Sequence, residues 1–405
     1  MTLPLAGIKV LDFSEHGFVP SAAAALADFG ADVIKIERPT GDPMRLVHPN
    51  RLVPDADGVE YMYDLVNRNK RGIALDVTVP AGREVFERLV GWADVYITNQ
   101  LPRVRRKLRT EPDDLFALNP TLVFAKGHGY GQAGPDAESG GFDGVSYWAR
   151  GSVAHVLTPD GSPEPINQRP ALGDIPSGMF LAGGICAALV HVLRTGQGTV
   201  VDTSLLGAAT WALSPDLAYA SVTGETMDSG PERPRSPLTF AYRTSDGRYL
   251  QLIMLDDDRY WAPACRALGL GELVDAYADD AVRRPAWPEL RARFRAAVAG
   301  LTRAELEARL RAEDCIFSVF ADPPEVVADP AIAANGYLMA HPAVPGLRLA
   351  AAPVQFDDAQ PAIRRPGPRL GEHSAQILTA LGYAADDVAR LVEDGVVAVS
   401  PDPAR

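Results

Sequence analysis

Apolar and polar positions follow two alternating periods through about the first 120 residues. Short β-rich runs, Ile8–Phe13, Asp32–Glu37, Gly72–Val77, Asp94–Thr98 and Leu122–Ala125, read as strands. Between them lie segments of helical period: the Ala-rich Ser21–Phe29, which stops at Gly30, then Pro80–Trp92 and Asp113–Leu118. Strand, helix, strand at this spacing predicts βαβ units and a mostly parallel sheet with helices on both faces. From Gly127 to Gly173 the chain is rich in Gly, Pro and Asp and reads as loops, where sites are commonly carried. A long apolar run, Met179–Leu193, then predicts a buried helix; it is short for a membrane span and holds His191 and two glycines. Thr199–Asp202 reads as a further strand leading into a helix, Ser204–Leu213.

The pattern changes at the polar, Pro/Gly-rich stretch Thr223–Pro237. Beyond it Thr239–Met254 alternates around the turn Ser245-Asp246-Gly247, which predicts a hairpin. Glu289–Arg311 reads as helices, with Thr302 and Glu305 placed for a capping box. The tail has a short strand near Leu347–Ala351 and a terminal helix near Ser374–Leu381. The expected organisation is therefore α/β: a large domain over 1–225 with an open, mostly parallel sheet, completed by 340–405. A small α+β domain occupies 230–335.

Composition narrows the function classes. The chain has 405 residues, 47% apolar and 22% charged, as a soluble enzyme with a sizeable core would have. With 39 Lys+Arg against 52 Asp+Glu the net charge is −13, which opposes a general nucleic-acid partner but not a local anion pocket. Three scattered cysteines fit a reducing compartment, and the N-terminus lacks the pattern of a signal peptide. A cytoplasmic protein without a membrane partner is expected. The turn after the first strand, Ser14–Pro20, has no GxGxxG, and neither a P-loop nor a GxSxG elbow occurs. The seven histidines form no HxH or HxxxH pair, and Asp256–Asp258 reads as a solvated loop, so no metal site is expected.

Basic residues cluster near strand ends. Lys35, Arg38 and Arg45 sit at or just past the second strand, Arg68, Lys70 and Arg71 precede the third, and Arg103, Arg105, Arg106 and Lys107 follow the fourth. Such clusters can converge on phosphates by charge and bidentate hydrogen bonds. Asp174, followed by Pro176 at the head of the apolar helix, reads on its own as an N-cap.

Several phrases occur together: VIKIERPTGDPMR, NRNKRGIALDV, DVYITNQLPRVRRKL, KGHGYGQAGP, GFDGVSYWARG, LGDIPSGMFLAGGICAAL and, in the tail, RRPGPRLGEHSAQIL. In this order the chain resembles the family III CoA-transferases, whose relatives include formyl-CoA transferase, carnitine CoA-transferase and α-methylacyl-CoA racemase. The resemblance runs through nearly all of the first 210 residues and more weakly beyond. It implies an acyl-CoA:carboxylate CoA-transferase that takes acyl-CoA and a carboxylic acid as substrates, holds no permanent cofactor and forms an interlocked homodimer. GDxxSG places Asp174 where the family has its nucleophilic aspartate, and a helix N-terminus would keep that carboxylate ionised. Tyr130, His128 and Gly129, in the glycine-rich loop Gly127–Gly131, are the expected supporting residues, with loop N–H groups as oxyanion donors. Candidate CoA contacts are Arg38, Lys35, Arg71, Asn99, Arg106 and Lys107. A racemase is the alternative, but Phe142 stands where racemases carry a histidine and cannot move a proton. A non-catalytic CoA-binding paralogue is opposed by Asp174 itself. Formyl-CoA transferases have a glycine flap where this chain reads GPERPR over 230–235, which disfavours oxalate. Tyr147, Trp148 and Trp211 hint at a larger or apolar acyl group, although core packing explains such residues as well.

Overall fold

The computed structural model describes residues 2–228, 230, 234–357 and 361–400. Of the segment 230–235 compared above, 231–233 lie outside the described residues. Contacts divide the chain into two compact units, Met1–Thr226 with Pro330–Arg405, and Met227–Asp329.

The larger unit contains the expected parallel strands: β1 (Lys9–Phe13), β2 (Asp32–Glu37), β3 (Arg71–Leu75), β4 (Val95–Thr98), β5 (Val123–His128) and β6 (Thr199–Ser204). They lie in the order β3-β2-β1-β4-β5-β6, all parallel, with Val397–Ala398 from the tail added antiparallel to β3. The central strands are apolar along both faces because helices cover both sides.

The helices are α1 (Phe18–Asp28), α2 (Tyr61–Asn67), α3 (Pro80–Trp92), α4 (Pro102–Leu108), α5 (Pro112–Phe116), α6 (Val153–Leu157), α7 (Asp174–Thr195), α8 (Leu205–Ala212) and α9 (Ser214–Thr223). One core joins α1, α7 and α8 to the sheet through residues such as Val19, Leu26, Leu181, Ile185 and Leu205. The opposite core is built by Val85, Phe86 and Leu89 of α3 with Leu115, Ile377 and Leu391. The small side chains of α1 allow α7 to lie directly on it. At Gly178 a Cβ would stand 1.9 Å from Ser21 Oγ and 2.7 Å from the Phe18 carbonyl oxygen, so the last glycine of GDxxSG is a packing requirement.

At 22 residues α7 is longer than the apolar run predicts and would be long and apolar enough to cross a bilayer. Seven of its residues are nevertheless buried in the fold, among them Leu181, Ala182 and Ile185. Other apolar side chains of this helix, Phe180, Val190 and Leu193, are exposed together with Val200, Trp211 and Val222.

The smaller unit carries an antiparallel sheet, Ala241–Arg243, Tyr249–Leu252 and Phe317–Val319, under helices Asp257–Ala267, Trp287–Ala299 and Arg303–Ala312. Trp261 and Phe294 stack at 5.7 Å in its core. The Thr302/Glu305 capping box is formed. The acidic run is the start of a helix: Asp256 accepts from the Arg259 N–H, and Asp258 pairs with the buried Arg283.

Candidate active site

Strand order reverses between β1 and β4, which opens a crevice beyond their carboxyl ends. The loop after β1 and the residues after β4 are tied across this point: the Glu15 N–H donates to Asn99 Oδ1 at 3.0 Å, and Asn99 Nδ2 donates to the Glu15 carbonyl at 2.7 Å. From below, Lys35 Nζ donates to the Ser14 carbonyl at 2.9 Å and pairs with Asp42 at 2.8 Å. Asp42 in turn accepts from the His16 N–H at 3.1 Å and holds that residue in the left-handed region, φ 66°. A cavity of about 830 Å³ opens above this loop, lined from the ends of β1 to β5 and by the head of α7.

Asp174 stands in the wall of this cavity. It is the first residue of α7, preceded by Gly173 in the capping position, so the expectation that it caps the helix is corrected. No side chain caps the helix among the described residues; Asp143 holds the residue before it, accepting from the Gly173 N–H at 3.3 Å and from Gln168 Nε2 at 2.8 Å. Among the described residues no donor bonds the Asp174 carboxylate. It lies against the backbone of Gly17, where a Cβ would stand 2.4 Å from Asp174 Oδ2, so only glycine fits beside it. Burial, and next the negative charge of Asp143, raise its pKa to about 7. This corrects the expectation of a carboxylate kept ionised by the helix. A macrodipole contributes about 0.3–1 kcal/mol at such a position, less than the burial and like-charge effects that oppose it.

His128, Gly129 and Tyr130 also line the cavity. Gly127 and His128 belong to β5, so the loop proper starts at Gly129 rather than at Gly127. His128 Nε2 lies 2.8 Å from Asp202 on the neighbouring strand, and Lys126 approaches the same carboxylate at 3.5 Å. Burial works to raise the Asp202 pKa, but His128 and Lys126 outweigh it and leave it below the ordinary range. Tyr130 packs its ring under the Arg150 guanidinium at 5.1 Å.

The basic candidates divide. Arg38, Asn99 and Lys107 line the cavity. Arg38 is half exposed and pairs with Glu15 at 2.9 Å. Lys35 does not reach the cavity, being fully buried in the ion pair with Asp42. Burial opposes its charge, but Asp42, Asp12 and Glu37 more than offset this and raise its pKa. Arg71 begins β3 and therefore lies at the wrong end of the sheet, paired with Asp32 at 2.6 Å. Its neighbours are also engaged: Lys70 with Asp12 at 2.8 Å and Arg68 with Asp28 at 2.6 Å. Arg106 pairs with Glu138 at 2.8 Å and is not among the lining residues. The run 103–107 is helical, which the sequence reading treats as the segment after a strand. Val104, Lys107 and Leu108 share the helical face that meets the cavity, while Arg106 points elsewhere.

The sequence pattern does not single out His16, Gly17, Asp143 or Asp202 as site residues, although the turn Ser14–Pro20, the Asp after Phe142 and the Asp ending VVD hold them. Among the aromatics, Phe13, Phe18 and Phe142 line the cavity, whereas Tyr147 and Trp148 are core residues and Trp211 is exposed.

Comparison with known proteins gives a consistent result. Residues 5–374 match the model of CoA-transferase family III. The chain is 30% identical over 395 residues, 96% of each protein, to the cinnamoyl-CoA:phenyllactate CoA-transferase of Clostridium sporogenes. It is 30% identical over 399 residues to the (R)-2-hydroxy-4-methylpentanoate CoA-transferase of Clostridioides difficile, covering 97% of this chain and 99% of that one. Its fold is similar to the crystal structure of a CAIB/BAIF family protein from Brucella suis, with a TM-score of 0.80 and 28% identity over 94% of this chain and 100% of the other.

Proposed function

The chain belongs to CoA-transferase family III, and from that premise we propose that it moves coenzyme A from an acyl-CoA thioester to a carboxylic acid, with Asp174 as the nucleophile. The observation that carries this is a carboxylate with no hydrogen-bond donor of its own among the described residues, opening onto a cavity beyond the strand ends. The Asp174 carboxylate attacks the thioester carbonyl carbon, the C–S bond breaks, and the CoA thiolate leaves behind a mixed anhydride. The thiolate then attacks the aspartyl carbonyl, the anhydride C–O bond breaks, and the donor acid departs as a carboxylate. An aspartyl-CoA thioester remains. The acceptor carboxylate repeats the two steps in reverse order, which returns Asp174 as a carboxylate and releases the new acyl-CoA. No proton is consumed. A carboxylate poorly solvated and weakly hydrogen-bonded is a stronger nucleophile than one in water, so the position against Gly17 serves the attack. His128, Tyr130, Lys107, Arg38 and Asn99 all line the cavity, which supports assigning oxyanion donation to the first two and contacts with the phosphates and adenosine to the other three.

The substrates are the acyl-CoA and the acid, with no permanently bound cofactor, and the larger unit, residues 1–225 completed by 340–405, binds the CoA. Phe13, Phe18 and Phe142 support an apolar acyl group, in keeping with relatives named for phenyllactate and 2-hydroxy-4-methylpentanoate. The racemase alternative is opposed by Phe142, an apolar side chain in the cavity at the racemase histidine's place. The exposed apolar residues of α7, β6, α8 and α9 support a homodimer, interlocked as the family resemblance implies, in which a second copy covers them. Free thiols at Cys186, Cys265 and Cys315 suit the cytoplasm.

The test incubates the protein with paired acyl-CoAs and acids and follows CoA exchange. Exchange in the wild type and its loss in Asp174→Ala, with CoA binding retained, is the expected result. Undiminished exchange in Asp174→Ala would overturn the assignment. Light scattering checks the dimer: twice the chain mass is expected, and a monomer at micromolar concentration would refute it.

A further inference from the structure

His16 stands apart from the groups already assigned. It lines the cavity next to Gly17, whose backbone abuts the Asp174 carboxylate. Its ring meets Phe142 edge-on, with centroids 5.1 Å apart and planes at 88°. Whereas His128 has a ring nitrogen engaged by Asp202, no hydrogen bond takes up the His16 ring nitrogens among the described residues. Its backbone is held at φ 66°, a conformation uncommon for residues other than glycine, by the N–H bond to Asp42. Asp42 is itself fixed by Lys35, and the preceding residue is fixed from both sides by Asn99. A buried ion pair and a reciprocal amide clamp therefore hold a partially exposed imidazole in a costly conformation beside Phe142 in the cavity wall. Conformations of this kind persist where the surroundings impose them and concentrate at ligand sites.

We propose that His16 is the residue that selects the acceptor acid, its imidazole hydrogen-bonding a polar substituent close to the reacting carboxyl group. The proposal rests on the transfer reaction at Asp174. Because His16 adjoins the residue that touches Asp174, the group it meets is carried on the first carbons beyond the carboxyl. A 2-hydroxyl group and the second carboxylate of a short dicarboxylic acid both have the required chemistry. The rest of the acid packs against Phe142 and Phe18. A site built to hydrogen-bond a substrate group disfavours the analogue lacking it, because a polar side chain is then left without a partner.

The experiment measures kcat/KM by mass spectrometry with 3-phenylpropanoyl-CoA as donor and three acceptors: deuterium-labelled 3-phenylpropanoate, its 2-hydroxy analogue and succinate. The variants are His16→Gly, which accepts the positive φ without strain, and His16→Asn, which tolerates it and retains a hydrogen-bonding group. In the wild type at least one substituted acid is preferred. In His16→Gly the ratio of substituted to unsubstituted acceptor falls by about 10- to 100-fold, and His16→Asn restores part of it. A fall confined to the hydroxy acid identifies the hydroxyl as the group bound, and one confined to succinate identifies the second carboxylate. The same ratio in wild type and His16→Gly, with exchange intact, overturns the proposal and leaves the transfer reaction standing. Absence of exchange in the wild type, here and with every pair of acyl-CoA and acid in the wider screen, overturns both.

Discussion

Replacing Asp174 by Asn should stabilise the protein, and by an amount that grows with pH. In the folded chain the carboxyl group titrates near 7 instead of near its ordinary 3.8, through burial first and the Asp143 charge second. A folded-state pKa above the unfolded value means that the folded protein holds its proton more tightly. The sign follows: stability is highest below pH 3.8 and is lost as pH rises to 7, where the folded carboxyl at last ionises. The rise corresponds to a ceiling of about 4 kcal/mol at pH 8. The group opens partly to the cavity, and a negative charge at the first helical position recovers about 0.3–1 kcal/mol, so roughly 2–4 kcal/mol is expected. Urea denaturation of both proteins at pH 4.5, 6, 7 and 8 measures the difference. The amide of the Asp174→Asn variant carries no charge at any of these, so the gap should be small at pH 4.5 and widest at pH 8. Parallel stability curves across this range would refute the raised pKa and the burial that causes it.

The same titration sets an acid limb on activity: transfer should fall tenfold per pH unit well below 7, because only the ionised Asp174 attacks; a flat kcat/KM between pH 5 and 8 would contradict it. Lys107→Ala should raise KM for the acyl-CoA about tenfold, the loss of one charge-assisted contact of about 1.4 kcal/mol, while Arg106→Ala should change it less than twofold, as steady-state kinetics at fixed salt will show. Lys35→Met should cost about 3–5 kcal/mol in a denaturation assay by stranding buried Asp42, a defect of folding and of the β1 loop rather than of phosphate binding. Gly129→Ala places a Cβ 2.7 Å from the Gly141 Cα and 2.8 Å from Ser146 Oγ, so transfer should fall at least tenfold with the fold retained by circular dichroism.

Much of the architecture is legible in local sequence. The six parallel strands follow from short β-rich runs separated by helical periods, and the capping box of Arg303–Ala312 from Thr302 and Glu305 alone. Where a motif singles residues out, they come together: Asp174, His128, Gly129 and Tyr130 line one cavity. What escapes is set by partners distant in the chain. Lys35 and Lys70 look like phosphate ligands until Asp42 and Asp12 fold against them. Arg71 lies at the amino end of its strand, and charge counting takes no account of strand direction. Lys107 differs from Arg106 only by the face of a short helix. The Asp174 titration depends on burial and on Asp143, some thirty residues earlier in the chain, which bonds the N–H of Gly173. His16 owes its conformation to Asp42, beyond the second strand.

The central claim is that CoA becomes bound to Asp174 during turnover. Intact-protein and peptide mass spectrometry of enzyme quenched with acyl-CoA, in the absence of acceptor, tests it directly. The account predicts a CoA adduct on the peptide holding Asp174, discharged when a productive acid is added and absent from Asp174→Ala. Steady CoA exchange with no adduct at Asp174, or exchange that persists in Asp174→Ala, would contradict it.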